Sequence, residues 1–107
     1  MTEPFSVEVH RDGGTTTIVL SGEIDLAAQP AIAKALAEAM TEPAAPRLLV
    51  DLSRVAFIDS SGLSAAIVLP ARAAHEAGIT FKAIPGPGVA RALQVSGLDR
   101  FVHPDDK

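Results

Sequence analysis

Phe5, Val7 and Val9 alternate with Ser6, Glu8 and His10, the period-two pattern of a strand with one apolar and one wet face, at an edge or half-exposed. Asp12-Gly13-Gly14 tolerates positive φ, and Thr15 to Leu20 then resumes β-branched character, so the two segments predict an antiparallel hairpin. Ser21 to Asp25 leaves the second strand, and the period changes. Ile32, Leu36 and Met40 recur every four residues, with Ala33, Lys34 and Ala37 around them, as an apolar helical stripe does. The helix is placed from Pro30, whose missing N–H costs nothing in a first turn, and Pro43 and Pro46 end it.

Leu48 to Leu52 is a nearly continuous apolar run, the pattern of a central strand covered on both faces, and Val55 to Ile58 reads as a further buried extended segment. A second helix follows over Ser64 to Ala77, with Leu63, Ile67 and Ala71 on its apolar stripe beside Ala66 and Ala74, and Gly78 as a left-handed cap. Pro70 falls inside it, where a proline removes the bond to the Ala66 carbonyl and costs about 3 kcal/mol unless the helix kinks or breaks. A kink or break is expected there. Ile79 to Ile84 predicts a strand that returns parallel to the central one by a helical crossover. Pro85-Gly86-Pro87-Gly88 is a turn that matches no phosphate-loop pattern, and Val89 to Val95 is a short helix ended by Gly97. Phe101 anchors the tail, and Pro104-Asp105-Asp106-Lys107 is expected to fray.

At 107 residues, the chain holds a single domain, with its core over about residues 5–103. Four phenylalanines are its only aromatic residues, so bases would find few stacking platforms, and a net charge of −4 has the wrong sign for a phosphate-backbone binder. Nucleic acid is therefore not an expected partner. The absence of cysteine removes disulfides, thiolate nucleophiles and cysteine metal sites, and fits a reducing compartment. The first residues lack the basic and apolar blocks of a signal peptide, and no apolar run approaches the ~20 residues of a membrane span. The expected location is the cytoplasm.

The candidate chemistry lies in Phe57-Ile58-Asp59-Ser60-Ser61-Gly62-Leu63, where an apolar strand gives way to small polar residues and then to a helix. Ser60 or Ser61 is placed at the helix N-cap, facing free backbone N–H groups and the positive end of the helix dipole. A phosphate on such a serine would be accepted without unfolding the helix. The plain alternative is that these serines only cap, that Asp59 is an ordinary turn residue, and that Asp25 makes an Asx turn at a helix entry. His10, His75 and His103 are scattered, with no metal-ligand spacing, so no metal site is expected. A serine-hydrolase elbow is missing too, because Ile58 and Asp59 precede the serines where that motif needs a glycine two residues before its nucleophile.

Asp59-Ser60-Ser61-Gly62-Leu63, preceded by Gly22-Glu23-Ile24-Asp25 and followed by Ser96-Gly97-Leu98, resembles the STAS-domain anti-sigma factor antagonists of bacteria over about Phe5 to His103. The resemblance implies an α/β fold with a short mixed β-sheet, an N-terminal hairpin, parallel central strands and helices packed mainly on one side. It implies Ser61 as the phosphorylated residue, with Ser60 the second candidate. Asp25, Glu23, Asp59, Ser60 and Gly62 would belong to the partner-binding surface, Gly62 by leaving the hydroxyl open to a kinase. The implied partner is an anti-sigma factor with a histidine-kinase-like ATPase fold, which supplies ATP and a metal; a serine phosphatase resets the cycle. The protein itself would carry no cofactor and catalyse nothing. The alternative within the resemblance is a STAS subunit of a transporter-associated or sensory complex, binding constitutively without phosphorylation.

Overall fold

The computed structural model describes residues 5–41 and 45–101. Four strands, β1 (Ser6–Asp12), β2 (Thr15–Ile24), β3 (Arg47–Ile58) and β4 (Thr80–Ile84), form one sheet in the order β1-β2-β3-β4. β1 and β2 pair antiparallel as the expected hairpin, while β2 with β3 and β3 with β4 are parallel. Each parallel pair is joined by a helical crossover: α1 (Gln29–Ala39) between β2 and β3, and a helical run from Ser60 to Ala77 between β3 and β4. A short helix, α4 (Ala90–Ser96), and a 3-10 turn at Leu98–Phe101 complete the described chain. Residues 102–107, including His103 and the tail expected to fray, lie outside the described residues, as does Pro43.

All the helices cover one face of the sheet. Ile18, Leu20 and Ile24 of β2 and Leu48, Val50 and Leu52 of β3 are buried against Ile32, Ala35 and Ala39 of α1 and the other helices. Thr15, Thr17, Val19, Leu49 and Asp51 on the opposite face stay half-buried. The expectation that β3 is covered on both faces is thus corrected: its apolar run reflects a central position in a sheet open on one side. On α1, the buried stripe is Ile32, Ala35 and Ala39 with Leu36 and Met40 at its margin, and Ala33 and Ala37 turn out to solvent.

β3 is one strand of 12 residues rather than two segments, because bulges carry it past Ser53 and Arg54. Its register against β2 slips twice, between Val19 and Ser21 and between Gly22 and Glu23. Each slip adds a residue to β3, so its inward residues become Leu52, Val55 and Ile58, three apart. Ala56 and Phe57, expected to be buried, are exposed for this reason. β2 also runs four residues beyond Leu20, so Gly22 and Glu23 lie in the strand and not in a loop.

Glycines end two helices where expected: Gly78 and Gly97 both take left-handed φ, 74° and 78°. Phe101 packs edge-on against Phe81 of β4, with ring centroids 5.7 Å apart, which fixes the end of the 3-10 turn. Thr16, buried on the helix-covered face, has a hydroxyl with no hydrogen-bond partner among the described residues. Burying an unpaired hydroxyl typically costs 1–3 kcal/mol. Thr16→Val should therefore raise stability by about 1 kcal/mol in urea denaturation; a loss would mean that the hydroxyl is satisfied in solution.

The run after β3 begins as α2 (Ser60–Leu63), widens into a π-turn over Ser64–Val68, and returns to α geometry in α3 (Leu69–Ala77). The Leu69 N–H reaches back five residues to the Ser64 carbonyl. Pro70 therefore interrupts the α ladder without ending the helical run: the widened turn lies just ahead of the ring, whose position leaves no N–H for an α bond. The ring is buried at the second position of α3. Pro70→Ala should lower stability by about 1–2 kcal/mol, since it removes two buried carbons at about 0.8 kcal/mol each and loosens the unfolded chain. A more stable variant in chemical denaturation would show that the proline only strains the helix.

Candidate functional site

Ile24 and Ile58 are register partners at the carboxyl ends of the parallel strands β2 and β3, and Asp25 and Asp59 follow them directly. Both aspartates keep extended backbone geometry and cap the helical turn that comes next. The Ala27 N–H donates to Asp25 Oδ1 at 3.1 Å, opening a 3-10 turn over Leu26–Ala28 that leads into α1. The Gly62 N–H donates to Asp59 Oδ1 at 2.8 Å, and the Leu63 N–H to the Asp59 carbonyl at 2.9 Å. The Asp59 N–H in turn donates to the Ile24 carbonyl at 3.3 Å, which ties the two caps together. An Asp directly after a strand, with a backbone N–H two or three residues on in reach of its carboxylate, makes a cap in both places, and parallel pairing puts the two carboxylates on one rim.

The N-cap of α2 is thus Asp59, where Ser60 or Ser61 was expected. Asp59 outcompetes them because β3 pairs as far as Ile58 and the helical run starts at Ser60 instead of Ser64, leaving the Asp59 carboxylate three residues before the Gly62 N–H, the reach of a side-chain cap. Ser60 and Ser61 occupy the first two positions of the helix, Ser60 exposed and Ser61 half-buried. Their own N–H groups have no partner among the described residues, as the first donors of a helix do not. A hydroxyl here is therefore free of any capping duty.

Gly62 is buried, and the reason is steric. A Cβ at this position would lie 2.2 Å from the Ile24 carbonyl oxygen and 2.8 Å from Ile58 Cγ1. The helix start can sit against the ends of β2 and β3 only with a glycine, a constraint separate from access to a neighbouring hydroxyl. Gly88, in the turn after β4, is similar: a Cβ would come within 2.2 Å of the Val55 carbonyl oxygen. Glu23, half-buried on the open face of the sheet, pairs with Phe57.

The rim carries apolar residues that the sequence reading did not single out. Leu26 is 64% exposed directly after Asp25, Phe57 is 51% exposed beside Glu23, and Leu69 is 43% exposed on α3. Leu69 and Ala65 line a groove of about 320 Å³ against Gln29, Pro30 and Ala33 of α1. Ala65 lies one helical turn after Ser61, so the groove continues the face on which Ser61 begins. Leu69 could have been found from the sequence, being out of phase with the buried stripe of Leu63, Ile67, Pro70 and Ala74. Leu26 and Phe57 carried no such signal, because their exposure depends on the 3-10 turn and on the bulges.

Among the described residues no group of three His, Asp or Glu side chains could hold a metal ion. His10 pairs with Glu8 at 2.9 Å on the edge strand, and His75 lies at the far end of the helical run from Ser60. No helix of the described residues is long and apolar enough to cross a membrane.

Residues 7–103 match the family described as "Mlab, STAS domain". The chain belongs to the STAS-domain family. Its fold is that of an anti-sigma factor antagonist from Mycobacterium paratuberculosis, at 28% identity and a TM-score of 0.72, over 92% of this chain and 83% of that one. The unphosphorylated anti-sigma factor antagonist SpoIIAA superposes at 24% identity and a TM-score of 0.74, over 96% of this chain and 90% of that one. The phosphorylated form of SpoIIAA, a Bacillus cell fate determinant, gives 22% identity and a TM-score of 0.70, over 94% of each chain. These likenesses to SpoIIAA concern the fold. No curated protein matches the chain in sequence. In this STAS domain, then, the paired caps, the two serines and exposed Leu26 and Phe57 share the rim at the carboxyl ends of β2 and β3.

Proposed function

We propose that this STAS domain is an anti-sigma factor antagonist whose binding is switched by phosphorylation of Ser61. In the unphosphorylated state it engages an anti-sigma factor with a histidine-kinase-like ATPase fold and frees a sigma factor in the cytoplasm. That partner transfers phosphate from ATP, with a metal held in its own site, to Ser61, and the complex separates; a serine phosphatase restores the free hydroxyl. The domain is ligand and substrate in this cycle, not catalyst. One observation carries the reading: serines with no capping role stand at a helix start directly after one of two tied carboxylate caps, on a rim where Leu26 and Phe57, the neighbours of those caps in the chain, are exposed. Apolar rim residues supply binding area, and a dianion placed among them changes the surface without touching the core.

The test is mass spectrometry of the protein taken from its own host, stressed and unstressed. Phosphate on Ser61 that differs between the two conditions is the expected result. No phosphate on Ser61 in either condition would leave the constitutive-subunit reading in its place.

Asp25 supplies a second check. Asp25→Ala removes a cap on a three-residue turn, so the fold should lose no more than about 1 kcal/mol. Affinity for the anti-sigma factor should fall about tenfold, equivalent to 1.4 kcal/mol, or phosphorylation should slow by a similar factor. Unchanged binding and unchanged phosphorylation in the purified system would reduce Asp25 to its capping role.

A further inference from the structure

On the flank of α3 away from the groove lined by Ala65 and Leu69, a pocket of about 380 Å³ opens between that helix and the 3-10 turn at Leu98–Phe101. Val68, Ala71, Leu98 and Phe101 form its floor, and Arg72, His75 and Arg100 stand at its edge. Val68, Ala71, Arg72 and His75 follow the 0, 3, 4, 7 spacing of one helix face, so the helix presents the two polar groups above its own apolar stripe. In a chain of net charge −4, this pocket is lined, among the described residues, by two arginines and a histidine and by no carboxylate. The nearest acid on the turn, Asp99, lines a different groove with Pro85, Ala90, Leu93 and Gln94.

Two of these groups are held in advance. Arg100 Nη1 donates to the Gly97 carbonyl at 2.7 Å, and its guanidinium lies 4.7 Å from the centroid of the Phe101 ring. Phe101 is itself fixed by its edge-on contact with Phe81. A guanidinium has five N–H donors, so Arg100 keeps donors to spare for a ligand while losing little freedom on binding. Arg72 has no hydrogen-bond or ion-pair partner among the described residues, and its planar fork suits a carboxylate or phosphate.

We infer that this pocket is a binding site for a small soluble acid with an apolar body, its carboxylate or phosphate on Arg72 and Arg100 and its hydrocarbon on Val68, Ala71, Leu98 and Phe101. The volume is that of a small-molecule site, and the pairing of an apolar floor with a few convergent polar groups is the form such sites take. The site does not depend on Ser61, and its occupancy can be tested without the anti-sigma factor.

The probe is sodium octanoate below its micelle concentration, titrated into the full-length protein and followed by amide NMR. Saturable shifts should cluster over residues 68–75 and 97–101. Octanol, which lacks the charge, and acetate, which lacks the chain, should each bind at least tenfold more weakly. Arg72→Glu combined with Arg100→Glu should weaken octanoate at least tenfold. Because Arg100 also holds the Gly97 carbonyl, the single exposed replacement Arg72→Gln serves where the double variant does not fold, and it should cost at least threefold. Octanol or acetate binding as well as octanoate would overturn the site, as would an Arg72→Gln variant with unchanged affinity or shifts confined to other residues. Protein that ignores octanoate but sediments with phosphatidylglycerol vesicles would assign the patch to a membrane surface instead. A tenfold gain in octanoate affinity on replacing Asp105 and Asp106 by Asn would make the chain's own acidic segment the occupant, and equally overturn the proposal.

Discussion

Ser61→Asp is expected to weaken the complex with the anti-sigma factor by at least tenfold, and phosphorylation of Ser61 by more. Phosphoserine carries about −1.5 to −2 charges at pH 7, the aspartate mimic only −1. The charge would enter a rim that already holds Asp59 one position before the serines and Asp25 on the neighbouring strand end. The N–H groups of Ser60 and Ser61 and the helix dipole offset part of the repulsion, typically 0.3–1 kcal/mol, so the domain should stay folded. Across an interface no such offset is available. Like charges or an unpaired buried anion there cost several kcal/mol, and each 1.4 kcal/mol is tenfold in affinity. Ser61→Ala should bind as the parent does and resist phosphorylation. Its stability should stay within about 0.5 kcal/mol, because the cap belongs to Asp59 and alanine is at least as good in a helix as serine. In cells, Ser61→Ala should leave the sigma factor constitutively active and Ser61→Asp should silence it. Titration calorimetry of both variants against the purified partner is decisive, and equal affinities would rule out the switch.

Gly62→Ala should produce the largest loss of stability. Helix propensity alone predicts the opposite sign, a gain of about 1 kcal/mol for replacing a helical glycine by alanine. The added methyl, however, would sit 2.2 Å from the Ile24 carbonyl oxygen, which itself accepts the Asp59 N–H. Backbone held in that way cannot yield as a side chain can, so the cost should lie at or above the upper end of the about 1–3 kcal/mol typical of overpacking. A net loss of about 2 kcal/mol or more is expected, which in a domain of this size lowers the melting temperature by roughly 10 °C or more. Circular dichroism melts of parent and variant measure it. A variant that melts with or above the parent would mean that the helix start can shift away from β2 and β3 at little cost. Function need not be assayed to read this result, which keeps it separate from the Ser61 experiments.

Local patterns carried most of the architecture. The alternation in β1, the Asp12-Gly13-Gly14 turn and the caps at Gly78 and Gly97 each depend on contacts within a few residues, and each is found as expected; the recurrence of Ile32, Leu36 and Met40 located α1, although its buried stripe is Ile32, Ala35 and Ala39. The run Asp59 to Leu63 was likewise legible as a strand end passing into a helix start, because capping chemistry is local.

What the tertiary structure decided has a common cause: the outcome depends on what a second element brings to the same place. Only the assembled sheet shows that β3 is open on one face, since an apolar run reads the same whether one side is covered or two. The bulges that expose Phe57 arise from register against β2. Asp59 won the cap from the serines because β3 pairs as far as Ile58, and Gly62 is required because the Ile24 carbonyl lies where its Cβ would be. Pro70 could be seen as an obstacle to the α ladder, but whether the chain would break, bend or widen depended on the packing that holds Ile67, Pro70 and Ala74 against the core. The pocket between Arg72 and Arg100 joins stretches more than twenty residues apart, and no pattern within either stretch announced the other, because what unites them is the path of β4 and α4 between the two.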